Sequence, residues 1–208
     1  MTDASTRTFA VRHLQLARAL FAAIAAIMIT FSADHSAAVG LSVFSGFAIA
    51  TAIVLFLGVW LVYPAASRAV PVLLGIVTLL AGMFTGIPPL RSTTLFFVAV
   101  IAWAVIAGVI ELVGGLRARR TGDAYARDGI LIGAFTLALA VGLLVVNPAF
   151  RLDYTVGPED LTLTGTAIGV GIFGGYAAII AVFLGIAGFS PRTVTAAPVP
   201  TPTAGERA

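Results

Sequence analysis

The chain contains no cysteine and very little charge. The absence of cysteine excludes disulfide bonds, thiolate metal sites and a cysteine nucleophile. Charged residues make up 10% of the 208 residues, whereas soluble domains contain about 25%. Because 60% of the residues are hydrophobic, a soluble fold of this size could not bury all of its apolar side chains in one core. The composition therefore predicts an integral membrane protein of the all-α class.

Lysine is also absent, so all twelve basic residues are arginines. The net charge of +3 would favour nucleic acid if the arginines formed one patch, but they are scattered at the ends of apolar runs. We therefore expect no nucleic-acid partner. No cluster of histidines or paired carboxylates lies at one depth of the apolar runs, so we expect neither an enzyme nor a metal or other cofactor.

Six long apolar runs are long enough to cross a hydrocarbon core of about 30 Å as helices. The predicted transmembrane helices span about residues 14–31, 40–63, 71–88, 94–116, 129–146 and 164–189. Residues 1–190 then form one membrane domain, and the Pro/Thr/Ala-rich residues 191–208 form a disordered cytoplasmic tail. The charged start of the first run also fits a cleaved signal peptide, but a second apolar run follows at once and favours an uncleaved helix.

The arginines predict the orientation of these helices in the membrane. Six crossings place both termini on one side, and ten of the twelve arginines flank that side, leaving Arg91 and Arg151 on the other. Because loops rich in arginine stay in the cytoplasm, we predict a multi-pass protein of the bacterial inner membrane with both termini cytoplasmic.

A weak internal repeat relates the predicted helices. An offset of 58 residues aligns the third predicted helix with the fifth, and the helices that follow them also correspond. The aligned pairs are Gly75 with Gly133, Thr78 with Thr136, and Gly108 with Gly175. We therefore predict three tandem two-helix hairpins. In this alignment Glu111 corresponds to Leu55 in the first hairpin and to Ala178 in the third, so the repeat does not require a carboxylate.

The sequence around Glu111 resembles that of the HdeD-like membrane proteins. The shared features are a turn at Pro88-Pro89, a W-x4-G-x2-E-x5-R pattern, and a short charged loop before a helix that opens on a glycine. In this chain the pattern is formed by Trp103, Gly108, Glu111 and Arg117. The resemblance covers about residues 14–189 and is best from the third to the fifth predicted helix. It implies a non-enzymatic inner-membrane protein that contributes to acid or envelope stress tolerance, and it assigns no catalytic residues.

Glu111 is the first functional candidate, because a carboxylate at the centre of a membrane helix costs about 2.5–3.5 kcal/mol on insertion scales. One interpretation makes it the protonatable site of a small transporter or proton-conducting protein; the other makes it a packing residue near the membrane surface. Helical spacing places the small residues Ala104, Gly108 and Gly115 on its side. We therefore expect Glu111 to face another helix and to meet a hydroxyl, a backbone carbonyl or an arginine. The transporter interpretation predicts in addition that it faces a polar cavity.

Glycines four residues apart allow close contact between membrane helices. The pairs with this spacing are Gly82 and Gly86, Gly165 and Gly169, and Gly171 and Gly175. Gly108 and Gly115 share the face of Glu111. We interpret all eight as helix-packing residues, and the same glycine-rich faces predict a homo-oligomer.

Further candidates lie at the two membrane surfaces. His35 and the carboxylates Asp153, Glu159 and Asp160 are candidates for pH sensing on the outer side, since histidine titrates between about pH 5 and 8 and carboxylates near about pH 4. On the inner side, four arginines are candidates for binding anionic lipid headgroups, with membrane lipids as the expected partners. They are Arg117, Arg119, Arg120 and Arg127. The plainer interpretations are a solvated acidic loop and arginines that only set the orientation.

Overall fold

The computed structural model describes residues 9–190, apart from the side chains of Ala66, Val156 and Glu159. It consists of a six-helix bundle with one β-hairpin. The helices are α1 (Val11–Thr30), α2 (Ala37–Leu61), α3 (Ala69–Thr85), α4 (Thr93–Arg120), α5 (Ala126–Val145) and α6 (Gly165–Phe189). Short 3-10 turns at Ala65–Ser67 and Pro88–Leu90 flank α3. The predicted tail at 191–208 and Arg7 lie outside the described residues.

Five helices within residues 9–190 are long and apolar enough to cross a membrane, namely α1, α2, α4, α5 and α6. This confirms the prediction of a helical membrane protein. Helix α3 has 17 residues, about 25 Å of α-helix, so it is shorter than a hydrocarbon core of about 30 Å. Helix α4 extends to Arg120, four residues beyond its predicted end, because the basic residues of its last turn favour a helix C-terminus.

The connection between α5 and α6 is a β-hairpin, where the sequence analysis predicted a solvated acidic loop. Strand β1 (Arg151–Val156) pairs antiparallel with β2 (Glu159–Thr164), and the turn contains Gly157, whose φ of 62° suits glycine. Leu152, Tyr154, Leu161 and Leu163 lie together on one face. The apolar and polar residues alternate along both strands, and this period of two is the signal that predicts such a hairpin.

The six helices form a closed ring, since each contacts its neighbours in sequence and α1 packs against α6. Neighbouring helices are antiparallel: Gly58 near the end of α2 lies against Leu14 of α1, and Gly188 near the end of α6 lies against Leu16. The end of the bundle at which α1 begins is called the basic end. It carries Arg12, Arg68, Arg117, Arg119, Arg120 and Arg127. The opposite end, which carries the β-hairpin, is called the hairpin end.

Aromatic side chains from α2, α4 and α6 meet at the centre of the ring. The ring centroids of Phe44 and Trp103 are 5.1 Å apart, and those of Trp103 and Tyr176 are 6.2 Å apart. Phe47 and Phe173 pack edge to face with these rings, an arrangement that aromatic pairs favour. These five residues are called the aromatic layer. Trp103 precedes Glu111 in α4, and the other four residues lie at the level of Trp103 in α2 and α6. The aromatic layer therefore fills the bundle on the hairpin-end side of Glu111.

The closest approach between helices is that of α4 and α5. A Cβ atom on Gly133 would lie 2.5 Å from the backbone nitrogen of Leu112, and one on Gly115 would lie 2.6 Å from that of Ile130. Backbone atoms cannot move away as the end of a side chain can. The contact therefore requires glycine at both positions.

The predicted packing glycines divide into two groups. In six of them a Cβ atom would press on another segment of the chain, namely Gly82, Gly86, Gly108, Gly115, Gly165 and Gly169. Gly171 and Gly175 are exposed, and a Cβ atom on either would meet nothing within 4 Å. The prediction that these two pack helices is therefore wrong within the chain, because that face of α6 points out of the bundle. The predicted homo-oligomer stays a prediction.

The glycine contact between α4 and α5 can be tested by adding single methyl groups. We expect Gly133→Ala to lower the free energy of unfolding by about 1–3 kcal/mol, since the methyl group overpacks the backbone of α4. The matched control is Gly171→Ala, where the methyl group enters open space and alanine favours the helix, so stability should stay equal or rise slightly. Thermal unfolding in detergent measures both. Equal melting temperatures for the two variants would contradict the close approach.

Candidate functional site

Glu111 forms an ion pair with Arg18 inside the bundle. The Nη2 atom of Arg18 in α1 donates to Oε1 of Glu111 in α4 over 2.7 Å. The two side chains are 17% and 8% exposed, so the pair is largely buried. A buried charge is stable only when it is paired and hydrogen-bonded. Glu111 thus meets an arginine on another helix, which is one of the three partner types expected from the sequence.

A second polar contact lies one turn before Arg18. Gln15 donates from Nε2 to Oδ2 of Asp128 over 2.6 Å, and both residues are buried. Asp128 belongs to the first turn of α5, where the helix dipole favours a negative charge. The buried part of the basic end therefore holds four polar or charged side chains. Glu111 is therefore not the only charged side chain buried in the bundle.

These side chains line a cavity that opens at the basic end and has a volume of about 380 Å³. This is within the range of small-molecule sites, about 300–1,000 Å³. Its polar lining comprises Gln15, Arg18, Tyr63, Ser67, Glu111, Arg117, Thr121, Asp123, Tyr125 and Asp128. Its apolar lining includes Leu14, Val54, Leu55, Leu74, Ile132 and Leu184. Arg117 and Asp123 are exposed at the mouth, whereas the Arg18–Glu111 pair lies at the inner end.

Glu111 therefore faces a cavity with polar groups in its wall. A cavity beside Glu111 was expected from the transporter interpretation. The packing interpretation predicts instead that Glu111 is surrounded by side chains alone.

Polar side chains continue from the ion pair into the aromatic layer. A void of about 10 Å³ touches both Arg18 and Glu111 on the side away from the cavity, and it has room for about one water molecule. In its wall, Nε1 of Trp103 donates to the hydroxyl of Thr78 over 3.1 Å. The hydroxyl of Tyr176, also in its wall, lies 3.0 Å from that of Thr136. The phenylalanines of the aromatic layer close the interior toward the hairpin end.

The outer pH-sensing candidates do not come together with this site. His35 is half-buried in the α1–α2 connection, and Asp153 and Asp160 are exposed on the β-hairpin; the side chain of Glu159 lies outside the described residues. The hydroxyl of Thr162 donates to Asp153 over 2.5 Å, and Arg151 donates over 3.2 Å. These contacts, that from Thr162 first, hold the pKa of Asp153 below its usual range. Asp153 therefore keeps its charge at a lower pH than an ordinary aspartate.

The lipid-headgroup candidates lie at the basic end. Arg117, Arg119, Arg120 and Arg127 are all exposed. Only Arg117 lines the cavity as well, at its mouth. Among residues 9–190, no group of three histidine, aspartate or glutamate side chains is arranged to hold a metal ion.

Three residues of the site were not recognised from the sequence: Gln15, Arg18 and Asp128. Arg18 was interpreted as a boundary residue and Asp128 as part of a charged loop. The sequence does contain a pattern that could have indicated Gln15 and Arg18. They are three residues apart, so they share a helix face, and both lie within the first apolar run. The pairing of α1 with α4 and α5 is a tertiary contact that no local pattern shows.

The ion pair predicts a characteristic set of stabilities. Arg18→Leu or Glu111→Leu alone leaves an unpaired charge in the bundle, so each should lower the free energy of unfolding by about 3–5 kcal/mol. The double variant Arg18→Leu/Glu111→Leu should recover most of this loss, since it leaves no buried charge. Unfolding in detergent measures all three. Additive losses in the double variant would contradict a direct pair.

The hydrogen bond from Thr162 makes a prediction about pH. Because the pKa of Asp153 is depressed in the folded state, its carboxylate stabilises the hairpin above the ordinary aspartate pKa, and this contribution is lost as the pH falls through the depressed value. Thr162→Val should raise the pKa of Asp153 toward its ordinary value. An NMR titration of the carboxyl carbon of Asp153 follows this directly. An unchanged Asp153 titration would exclude the role of Thr162.

No family model, curated protein or solved structure matches this chain. The resemblance to HdeD-like proteins therefore stays a prediction from the residues around Glu111. The comparisons leave the geometry of the cavity and of the Arg18–Glu111 pair as the main guide to function.

Proposed function

We propose that the chain is a small transporter or proton-conducting protein of the bacterial inner membrane, in which Arg18 and Glu111 form the intramembrane site. The observation that supports this most strongly is the position of the pair at the inner end of a cavity of about 380 Å³. Ionisable residues inside a membrane protein are rare and commonly mark an ion or proton path. A cavity that reaches such a pair from one end gives water or a solute access to it.

The proposed orientation has six crossings and places the basic end in the cytoplasm. Helix α3 is antiparallel to both neighbours, with its Gly82 against Ala48 of α2 and its Val70 against Gly114 of α4. We propose that it crosses the membrane together with the 3-10 turns that flank it. The described arginines at the basic end outnumber Arg91 and Arg151 at the hairpin end, in agreement with a cytoplasmic basic end. The cavity is then open to the cytoplasm.

The proposed three-hairpin repeat gives a reason to treat the pair as functional. The sequences of α2 and α4 align with an offset of 56 residues, and those of α4 and α6 with an offset of 73. This aligns Phe47, Trp103 and Tyr176, whose rings are in contact. The alignment of α4 with α6 therefore differs from that in the sequence analysis, which paired Gly108 with Gly175. The difference arises because the β-hairpin lengthens the connection before α6. The same offsets align three residues that are each fully buried, Ala48, Ala104 and Ala177.

In this alignment the two charged residues stand where the other hairpins have aliphatic side chains. Glu111 corresponds to Leu55 and Leu184. In α1, α3 and α5, offsets of 56 and 58 residues align Arg18 with Leu74 and Ile132. All six residues line the cavity. Since aliphatic residues occupy four of the six equivalent positions, packing at this depth does not need the ion pair. We infer that the pair is present for its chemistry.

The proposed mechanism is an exchange of partners at Glu111. When Glu111 takes up a proton from the cytoplasmic cavity, its ion pair with Arg18 is lost, and the guanidinium is free to turn to another acceptor. The hydroxyls of Thr78, Thr136 and Tyr176 lie next along the interior and can relay a proton through hydrogen bonds. Release toward the hairpin end requires the aromatic layer to open, so this layer acts as the gate on that side.

The role in acid or envelope stress, implied by the resemblance to HdeD-like proteins, is part of this proposal as its physiological setting. A deletion strain that survives low external pH as well as its parent would remove this part of the proposal.

Proton conduction can be measured with the purified chain in liposomes that contain a pH-sensitive dye. When a potassium gradient and valinomycin drive proton uptake, we expect the native chain to acidify the liposomes faster than lipid alone. Arg18→Leu/Glu111→Leu should reduce the rate to that of lipid alone, because the fold is kept while the protonatable site is lost.

Asp153→Asn is the matched control, because it removes an exposed carboxylate far from the cavity and should leave the rate unchanged. A native chain that conducts no faster than lipid, or a double variant that conducts as fast as the native chain, would contradict proton conduction through this site.

A further inference from the structure

Two residues that line the cavity each carry a buried polar atom with no hydrogen-bond partner among residues 9–190. These atoms are Oε1 of Gln15 and Nε of Arg18. Gln15 is 7% exposed, so its amide is almost completely withdrawn from solvent. Buried polar atoms nearly always have a hydrogen-bond partner, so each unpaired one needs an explanation. A small turn of these two side chains toward the cavity would bring both atoms to a partner bound there.

The chemistry of each unpaired atom is defined by its neighbours. The Nε2 atom of Gln15 donates to Asp128 over 2.6 Å, and the flipped amide would bring its oxygen against the carboxylate. The orientation is therefore determined, and Oε1 is left as an acceptor. Arg18 uses Nη2 to hold Glu111, which leaves its Nε–H as a donor. The site offers one acceptor and one donor.

The side chains that carry these two atoms are neighbours in α1. Gln15 and Arg18 are three residues apart in α1, so their side chains are neighbours on one face of the helix. A primary amide or a protonated carboxyl group carries a donor and an acceptor side by side, and so matches the pair. A ketone supplies only the acceptor, and an ammonium group supplies only donors.

The remaining wall of the cavity favours an uncharged molecule with an apolar body. The charge of Arg18 is cancelled by Glu111, and the carboxylate of Asp128 is already engaged by Gln15. A charged head at this inner end would have a desolvation cost that no counter-charge there offsets, since Arg117 and Asp123 lie at the mouth. The leucine, isoleucine and valine side chains of the wall can cover a short hydrocarbon body.

We propose that the cavity binds a small, uncharged amphipathic molecule whose head both donates and accepts a hydrogen bond, as an amide or a protonated carboxyl group does. The head is bound by Oε1 of Gln15 and Nε of Arg18, and the apolar body lies along Leu55, Leu74 and Leu184. This rests on the proposed function, since it names the class of ligand for the same site. A bound molecule lies between the cytoplasm and Glu111, so it should also slow proton conduction.

The test uses probes of similar length and the purified chain in nanodiscs, with empty nanodiscs to correct for partition into lipid. The probes are hexanamide, 2-heptanone, hexylammonium and hexanoate, and saturation-transfer NMR measures their affinities. We expect hexanamide to bind about tenfold more tightly than 2-heptanone, which cannot donate to Gln15. Hexanoate should bind more tightly at about pH 4 than at about pH 7, because only its protonated form fits.

Two variants test the location of the bound probe. Leu184→Phe fills the cavity and should abolish hexanamide binding, whereas Leu80→Phe, on the exposed face of α3, should leave it unchanged. Arg18→Lys keeps a positive charge for Glu111 but removes Nε, so it should weaken the binding of hexanamide and of 2-heptanone alike, since the carbonyl oxygen of each accepts from Nε. Tighter binding of hexylammonium, no binding of any probe, or native affinity in Leu184→Phe would overturn the inference.

The two proposals fail in different ways. Conduction that depends on Glu111 without hexanamide binding would reject the ligand class and keep the proposed function. Selective hexanamide binding without any conduction would keep the ligand class and reject conduction. Binding together with inhibition of conduction by hexanamide supports both.

Discussion

A charge inside an apolar bundle must meet an opposite charge, and the interior of this protein depends on that constraint. Glu111 of α4 meets it by pairing with Arg18 of α1 over 2.7 Å. These two helices are not neighbours in the ring, so their side chains must reach across the centre of the bundle to meet. Apolar side chains therefore cannot fill the centre at this depth. The cavity and the polar residues around it follow from the position of the pair.

The rest of the bundle makes this cavity one-sided. Toward the hairpin end, the aromatic layer fills the centre with five large rings that contact one another. Toward the basic end, the centre is lined by aliphatic residues and stays open. Around the outside, glycines bring α4 and α5 together until their backbones touch, with Gly133 against Leu112 as the closest case. A rigid wall, a closed side and an open side are the features that a binding site for a proton or a solute requires.

The sequence predicts the membrane class and the helices, because long uncharged runs bounded by arginine and proline leave few alternatives. It also predicts that Glu111 meets another helix, since small residues share its face. Local patterns do not reveal Arg18 as the partner of Glu111. An arginine near the start of an apolar run looks the same in the sequence whether it lies at the membrane surface or inside a bundle. The exposure of Gly171 and Gly175 could not be predicted either. Glycines four residues apart show that another helix can come close, but they do not show that another helix lies there. The β-hairpin was missed for a different reason, since its charge suggested a loop although its alternation indicated strands.

Access to the ion pair from the basic end alone is the central claim, and the absence of native cysteine makes it directly measurable. The measurement is the reaction of single cysteines, at Leu55 in the cavity wall and at Thr51 in the small void beyond the pair, with a membrane-impermeant thiol reagent. The reagent is added to right-side-out and to inverted membrane vesicles that contain one or the other cysteine variant. With the basic end in the cytoplasm, as proposed, the cysteine at Leu55 should react only in inverted vesicles and the one at Thr51 in neither. Reaction of Leu55→Cys from the outside, or from neither side, would contradict a cavity that opens to the cytoplasm.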